Sequence, residues 1–583
     1  MAEKILQGVA ASGGIAIAPL YLYHRSGFSV PRRSLKPEET EAEVQRYLNA
    51  IAKTRIQIGE VADRARHKLG EEHAAIFKAH QIVLDDPVFQ QDIPEAVRHR
   101  RMNAEALIHE ELEKFKALIA GIDDPYFRER GNDIQDVGRR MLKNLTGGGE
   151  KDQLKKIDHE VVLIAEDLSP SDTVNLPTDI IKGFATEIGG RTSHVAIVAR
   201  SLSLPAIVGM PGITAEAQDG DTVILDGNKG LLILNPTPET LKQYQRLQES
   251  YRAFQKSLEE LRNLPASTPD GRQITLAANI EIPQELNEIF LHGAEGVGLF
   301  RTEFLFLNRE SIPTEEEQYL AYRELAEKIG VHPAIVRTLD LGGDKFLSHL
   351  NTLHESNPFL GLRAIRLCLK RPEIFMPQLR AMLRAAAHGP IKIMFPMISS
   401  LDEVRQAKAM VREAAEQLRQ EGRVFRSEIE IGAMIEIPSA AVMADLLIEE
   451  VDFLSIGTND LIQYTLAVDR VNESVAYLYE PGHPAILRLI QMTVDAAHRA
   501  GKWVGMCGEM AGDPQFVPLL LGMGLDEFSV SVSVIPEVKK VIRMMPYAQA
   551  AGIAQAALKL KTSDEVLELI KNSVSPDLKA ILF

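Results

Sequence analysis

Short apolar runs and long amphipathic stretches alternate along this chain in blocks of different period. Residues 1–36 carry short apolar runs around the glycine turn Ser12-Gly13-Gly14, which predicts one or two strands. From Pro37 to residue 145 helix formers dominate, and Val44, Leu48, Ile51, Ile58 and Val61 recur at the spacing of one helical face. Breaks at Gly70, Asp85-Asp86-Pro87, Gly121 to Pro125 and Gly147-Gly148-Gly149 cut this stretch into a bundle of about four helices. Residues 158–235 return to short β-like runs at Val161–Ile164, Ala206–Val208 and Thr222–Leu225, with turns such as Asp226-Gly227. The simplest organisation is a small α/β domain made of residues 1–36 and 151–236, interrupted by a helical bundle over 37–150.

Thr237-Pro238-Glu239 is a helix start, with a capping hydroxyl, proline at the first helical position and an early acid. Leu241, Tyr244, Leu247, Tyr251, Phe254, Leu258 and Leu261 follow at spacings of three and four, so residues 237–264 read as a long amphipathic connector whose stripe needs an apolar surface. After Gly271 short apolar strands alternate with longer helical segments. Eight strands are expected, at Ile274–Ala278, Gly296–Phe300, Ala334–Thr338, Ile391–Phe395, Ile431–Ile435, Phe453–Ile456, Trp503–Met506 and Glu527–Val530. That alternation over residues 265–583 predicts a (β/α)8 TIM-type barrel, and makes the whole chain a multidomain α/β protein.

Composition narrows the class without deciding it. Over 583 residues the chain is 45% hydrophobic and 25% charged, which is ordinary for a soluble protein. It lacks an apolar run of membrane-spanning length and a secretory layout at Met1-Ala-Glu-Lys4, so a cytoplasmic location without membrane insertion is expected. Two distant cysteines, Cys368 and Cys507, suggest neither a disulfide framework nor a zinc cluster. A formal charge of −16 argues against general nucleic-acid binding and suits a basic protein partner.

The candidate chemistry sits at two places. In Gly189-Gly190-Arg191-Thr192-Ser193-His194, a histidine follows a glycine turn and capping hydroxyls, and opens a short helix that must end before Leu204-Pro205. Unpaired backbone N–H groups and the helix dipole favour an anion there, so the imidazole could accept a phosphoryl group. A lone histidine in such a setting is ordinarily a capping or buried residue, and the rest of the chain must decide. In the barrel, Arg301, Arg337, Glu436, Asn459-Asp460 and Cys507-Gly508-Glu509 lie at or just past strand C-termini, the face where such barrels build active sites. Arg301 and Arg337, with Arg470 as a third, present planar forks to a small anion. Glu436 and Asp460 suit Mg²⁺ or an acid–base pair; three nearby arginines and no nearby histidine favour the metal. Cys507, mostly protonated at neutral pH, can donate a proton. A phosphorylated enol acid fits the set, with its phosphate passing to His194.

Six segments carry a resemblance. They are Gly189 to His194, Gly298-Leu299-Phe300-Arg301-Thr302-Glu303-Phe304, Asp340-Leu341-Gly342-Gly343-Asp344-Lys345, Asn357-Pro358-Phe359-Leu360-Gly361, Ser455 to Leu461 and Cys507-Gly508-Glu509-Met510-Ala511. In this order they resemble the enzyme I family of the bacterial phosphoenolpyruvate:sugar phosphotransferase system over essentially the whole chain. The resemblance implies that His194 is the phosphohistidine, modified on Nε2, with Thr173 orienting it. It implies that Arg301, Arg337, Asn459, Asp460 and Arg470 bind phosphoenolpyruvate, that Glu436 and Asp460 hold Mg²⁺, and that Cys507 is the proton donor when pyruvate forms. It further implies a homodimer through the C-terminal barrel and a helical insertion that docks the small carrier protein HPr. Ser12-Gly13-Gly14 departs from the family's usual Ser-Pro-Gly, away from every catalytic segment. The start at this segment leaves no room for the sensory domain of the nitrogen-regulatory variant, so the sugar-transport branch is expected. Two rivals are a dikinase or synthase with the same histidine and barrel motifs, which would need a nucleotide-binding domain, and a non-catalytic regulator, which would pass no phosphate onward. Neither a phosphate loop of the Gly-x-x-x-x-Gly-Lys-Ser/Thr kind nor a lost site residue speaks for them.

Overall fold

The computed structural model describes residues 3–23, 30–69, 77, 80–120, 125–146, 157–190, 193–202, 204–281, 283–307, 309, 311–342, 357–470, 472 and 474–582. They form two compact units, divided between Gln255 and Lys256. The predicted breaks at Gly70, Gly121–Asp124 and Gly147–Gly149, and the motif residues Arg191, Thr192, Gly343, Asp344 and Lys345, lie outside the described residues.

Eight strands of the first unit make one sheet: β1 Lys4–Gln7, β2 Val9–Ser12, β3 Ile15–Tyr23, β4 Val161–Ala165, β5 Ile181–Thr186, β6 Ala206–Val208, β7 Thr222–Asp226 and β8 Leu231–Leu234. Their order is β1-β8-β7-β3-β4-β5-β6-β2, with β3 to β6 parallel to one another and the remaining pairs antiparallel. The N-terminal segment holds three strands rather than the one or two expected. Gly8 is the reason: β1 pairs β8 and β2 pairs β6, so consecutive strands close opposite edges and the sheet must curl on itself. A Cβ at Gly8 would lie 2.4 Å from Met210 Cγ, which leaves glycine as the residue for this crossing. The expected set also lacked β5 and β8. β5 (Ile-Lys-Gly-Phe-Ala-Thr) is interrupted by Lys182 and Gly183; a Cβ at Gly183 would approach Pro205 O at 2.9 Å, so close strand packing replaces side-chain pattern there.

Between β3 and β4 the chain builds helices Thr40–Leu69, Ile93–Arg100, Ala104–Ala120 and Pro125–Thr146. Val44, Ile51, Ile58 and Val61 enter a common core with Phe89, Val97, Ile108 and Met141, whereas Leu48 of the expected stripe faces solvent. The turn at Asp85-Asp86-Pro87 forms, with Asp86 Oδ1 accepting the Val88 amide at 2.9 Å. A further break follows Arg100, where Arg101 adopts a left-handed φ of 50° that stops the helix. Pro238–Leu261 is a single helix started by Thr237, whose hydroxyl accepts the Thr240 amide at 3.2 Å. Leu241 and Tyr244 pack against Ile15, Ile17, Ile224 and Ile233 of the sheet, giving the start of the connector stripe an apolar surface, whereas Leu247 is exposed.

The second unit is a closed barrel of eight parallel strands: β9 Thr275–Ile280, β10 Val297–Phe300, β11 Ala334–Arg337, β12 Ile391–Phe395, β13 Ile431–Ile435, β14 Phe453–Ile456, β15 Val504–Met506 and β16 Glu527–Ser531. β16 pairs β9 to complete the ring. Residues facing the surrounding helices form the main core, while Leu299, Ile335, Met394, Met434, Phe453 and Cys507 make a separate cluster. Side chains along a strand repeat every two residues. Arg301, Arg337 and Glu436 therefore stand directly above Leu299, Ile335 and Met434, and reach the C-terminal mouth. Among the described residues no helix is long and apolar enough to cross a membrane.

Candidate active site

His194 opens the helix His194–Ser201. Ser193 is its N-cap, in extended geometry, with Oγ accepting the Ala196 amide at 3.4 Å. Gly189 turns the chain into this helix at a φ of +130°, a conformation L side chains rarely adopt. The helix ends as expected before Pro205, where the Leu204 amide returns to Ala199 O at 3.0 Å. Val195, Ala196 and Ala199 share a core with Leu168 and Leu176, which flank the short helix Pro170–Val174. Thr173 on that helix is fully buried, and its hydroxyl donates to Ser169 O at 2.9 Å and Pro170 O at 3.0 Å. With its proton so engaged, Thr173 can only accept a hydrogen bond from another group. The same helix is tied to the insertion, since Ser171 donates to Asp136 at 2.7 Å and accepts from Arg140 at 2.8 Å.

The barrel mouth gathers a second set. Arg337 ends β11 almost wholly buried, donating through Nη2 to Glu303 at 3.0 Å and forming an ion pair through Nη1 with Asp340 at 3.1 Å. Asp340 also takes the Arg363 guanidinium at 2.8 Å. Burial alone would raise the Asp340 carboxyl, but the Arg337 and Arg363 charges outweigh it and hold the acid below its usual range. Arg301 follows β10 and pairs with Glu281. Among the described residues, the Nε atoms of Arg301, Arg337 and Arg363 are buried with no hydrogen-bond partner. Three cationic donors with unused N–H groups at one rim point to an oxyanion.

Glu436, just past β13, is 1% exposed and accepts the Met397 amide. Burial raises its carboxyl, and the charges of Asp460 and Asp340 add to the rise. Asp460, in the first turn of the helix Thr458–Leu466, is raised by burial and by Asp340. Two buried carboxylates that push against one another fit a divalent cation, which relieves the repulsion. Among the described residues no three His, Cys, Asp or Glu side chains form a complete cage, so a cation here would take further ligands from substrate oxygens and water. Asn459 and Arg470 meet on Glu509: Asn459 Nδ2 donates to Oε1 at 3.0 Å, Arg470 Nη1 at 2.8 Å, and the Glu509 amide returns to Asn459 Oδ1 at 2.9 Å.

Cys507 follows β15 and is 5% exposed. Burial pushes its thiol up to about 11, so the proton is retained at neutral pH. The charges of Arg337, Glu436 and Arg301 all act on that sulfur. Cys368 is a fully buried free thiol raised by burial, in keeping with a packing role.

Arg301, Arg337, Glu436, Asn459, Asp460, Arg470 and Cys507 therefore lie at this mouth, and His194 and Thr173 belong to the other unit. Sequence reasoning missed Glu303, Asp340 and Arg363. Glu303 and Asp340 stand inside the motif segments, but only their pairing with Arg337 through space gives them a role.

Three family matches cover most of the chain: the PEP-utilising enzyme N-terminal family over residues 7–130, its mobile domain over 157–230, and its PEP-binding domain over 255–547. A phosphoenolpyruvate-protein phosphotransferase of Bacillus sp. (strain S) is 49% identical, covering 98% of this chain and 99% of its own length. One from Geobacillus stearothermophilus is also 49% identical, with 98% and 99% covered, and one from Staphylococcus aureus (strain MRSA252) is 46% identical, with 98% and 100% covered.

Proposed function

The chain belongs to the phosphoenolpyruvate-protein phosphotransferase family, and from this premise we propose that it moves the phosphoryl group of phosphoenolpyruvate to its own His194, releasing pyruvate, and then to a histidine of the carrier protein HPr. The observation that carries this reading is the convergence of three arginines with buried, unused Nε donors, two mutually repelling carboxylates and a protonated buried thiol on one barrel mouth.

In this reading Arg301 and Arg337, with Arg470 and Asn459, grip the phosphate and carboxylate oxygens, and Arg337 is held rigid by Glu303 and Asp340. Glu436 and Asp460 would hold Mg²⁺, which when bound would draw charge from the substrate oxygens. As the P–O bond breaks and the phosphoryl group passes to the His194 imidazole, the Cys507 S–H proton goes to the enolate carbon and pyruvate leaves. The thiolate then recovers a proton from water. Thr173, whose hydroxyl is left only to accept, is the residue that orients the His194 imidazole in this reading. The unit over 1–36 and 151–236 carries the phosphohistidine, the bundle over 37–150 presents HPr, the helix over 237–264 links the units, and the barrel over 265–583 loads the phosphate and forms the homodimer. The cytoplasm, where phosphoenolpyruvate and a protein carrier meet, is the compartment this role requires.

The test separates the two half-reactions. Cys507→Ala should slow pyruvate formation about a hundredfold while leaving transfer from phosphorylated protein to HPr at the wild-type rate. Equal loss of both half-reactions would contradict the assignment.

A further inference from the structure

The environment of Cys507 contains a group that the mechanism above does not use. Ser455, on β14, is 1% exposed, and its Oγ donates to Cys507 Sγ at 3.5 Å. The thiol's own contact is poorer, with Sγ 3.9 Å from Ile456 O, so its proton is loosely engaged. The backbone of Cys507 is fixed independently: its amide donates to Ile456 O at 3.1 Å, and its carbonyl accepts Asn279 Nδ2 at 3.0 Å. Asn279 is in turn set by Ser529, which donates to its Oδ1 at 2.6 Å. Cys507 thus has its main chain anchored by β9 and β14 and its sulfur approached by one hydroxyl. Cys507 shares an apolar cluster with Leu299, Ile335, Met394, Met434 and Phe453, and the charges of Arg337, Arg301 and Glu436 also reach its sulfur.

We propose that Ser455 is a positioning residue for the proton-transfer step, its hydroxyl receiving the negative charge left on the Cys507 sulfur. This rests on the reading of Cys507 as the proton donor. In that step the S–H bond breaks, a C–H bond forms at the enolate carbon, and the electron pair left on sulfur meets the Ser455 O–H. A thiolate on a sulfur this buried has poor access to water, and a hydrogen bond to a charged group is stronger than one to a neutral group. The bond to Ser455 therefore strengthens as the proton leaves, which lowers the barrier rather than only binding the ground state. The direction in which the hydroxyl acts on the thiol is the same, toward the ionised form.

The test uses Ser455→Ala in the full chain, with two measurements. The first is the iodoacetamide labelling rate of Cys507 at one alkaline pH, followed by mass spectrometry on the Cys507 peptide so that Cys368 does not contribute. The second is the rate of pyruvate release from phosphoenolpyruvate. Ser455→Ala should label Cys507 more slowly, and release pyruvate more slowly, each on the order of ten- to a hundredfold. HPr phosphorylation from preloaded protein should be unchanged. A purely structural effect has the opposite sign, because loosened packing exposes the sulfur and speeds labelling. Labelling that is unchanged or faster would overturn the assignment of Ser455, even with Cys507→Ala slow in pyruvate release. Slower labelling with normal pyruvate release would overturn the proton-donor reading of Cys507, and the role of Ser455 with it.

Discussion

Replacing Arg337 with lysine separates charge from geometry at the barrel mouth. The guanidinium spans Glu303 at 3.0 Å and Asp340 at 3.1 Å, and a lysine ammonium can satisfy only one of those directions. Neither acid is left stranded, because Asp340 keeps Arg363 at 2.8 Å and Glu303 still accepts the Asp340 amide at 3.1 Å. The loss is therefore that of one charge-assisted hydrogen bond, about 1.5–3 kcal/mol. It falls short of the roughly 3–5 kcal/mol that follows when a buried charge loses its only partner. For a domain of this size the barrel's unfolding temperature should drop by roughly 2–5 °C. The substitution also removes Nε, a buried donor with no protein partner, and with it one grip on the substrate phosphate. The KM for phosphoenolpyruvate in pyruvate release should rise about ten- to a hundredfold, with kcat changing less. Thermal unfolding and steady-state pyruvate release measure the two effects separately. A KM within about twofold of wild type would refute the role of the Nε donor, and an unchanged unfolding temperature would refute the bridging role.

Glu527, buried inside the barrel, is raised by burial from 4.5 to about 7, with Lys392 opposing and Asp526 adding to the shift. The folded value exceeds the unfolded one, so the contribution of the neutral acid is full below about 4.5, declines as pH rises and is gone above about 7. Glu527→Gln should match wild type in stability at acid pH and exceed it near about pH 8 by at most about 3 kcal/mol; a difference independent of pH in denaturant titrations would contradict this. Gly508→Ala places a Cβ 1.8 Å from Thr458 Oγ1 and 2.6 Å from the Thr458 amide, at a φ of −77° that alanine tolerates. The clash must displace the helix start that carries Asn459 and Asp460, so pyruvate release should fall about a hundredfold while transfer to HPr persists. Wild-type pyruvate release in Gly508→Ala would show that the close approach is not needed.

The barrel was legible because its strands are short and mostly apolar, such as Ile431–Ile435, and several end at or just before a polar residue, as at Arg301, Arg337 and Glu436, that the two-residue repeat delivers to the mouth. The curled sheet was less so. β5 contains Lys182 and Gly183, and its place between β4 and β6 is set by backbone approach to Pro205 and not by a side-chain pattern. The third N-terminal strand was hidden for a similar reason, since only the switch of partners at Gly8 divides β1 from β2. In the site, Arg301, Arg337, Glu436, Asp460 and Cys507 could be named from their positions after strands. The residues that tune them could not. Glu303 and Asp340 act by flanking Arg337, Arg363 arrives from another loop, and Ser455 lies one strand from Cys507, all relations that exist only after the ring closes.

The central claim is that His194 carries the phosphoryl group between two sites. Incubation with phosphate-labelled phosphoenolpyruvate and Mg²⁺, without nucleotide, tests it directly when the labelled peptide is mapped and HPr is then added. The account predicts an acid-labile label on His194 that passes to HPr, and none on His194→Ala. Label retained in His194→Ala, or label on His194 that HPr cannot remove, would contradict it.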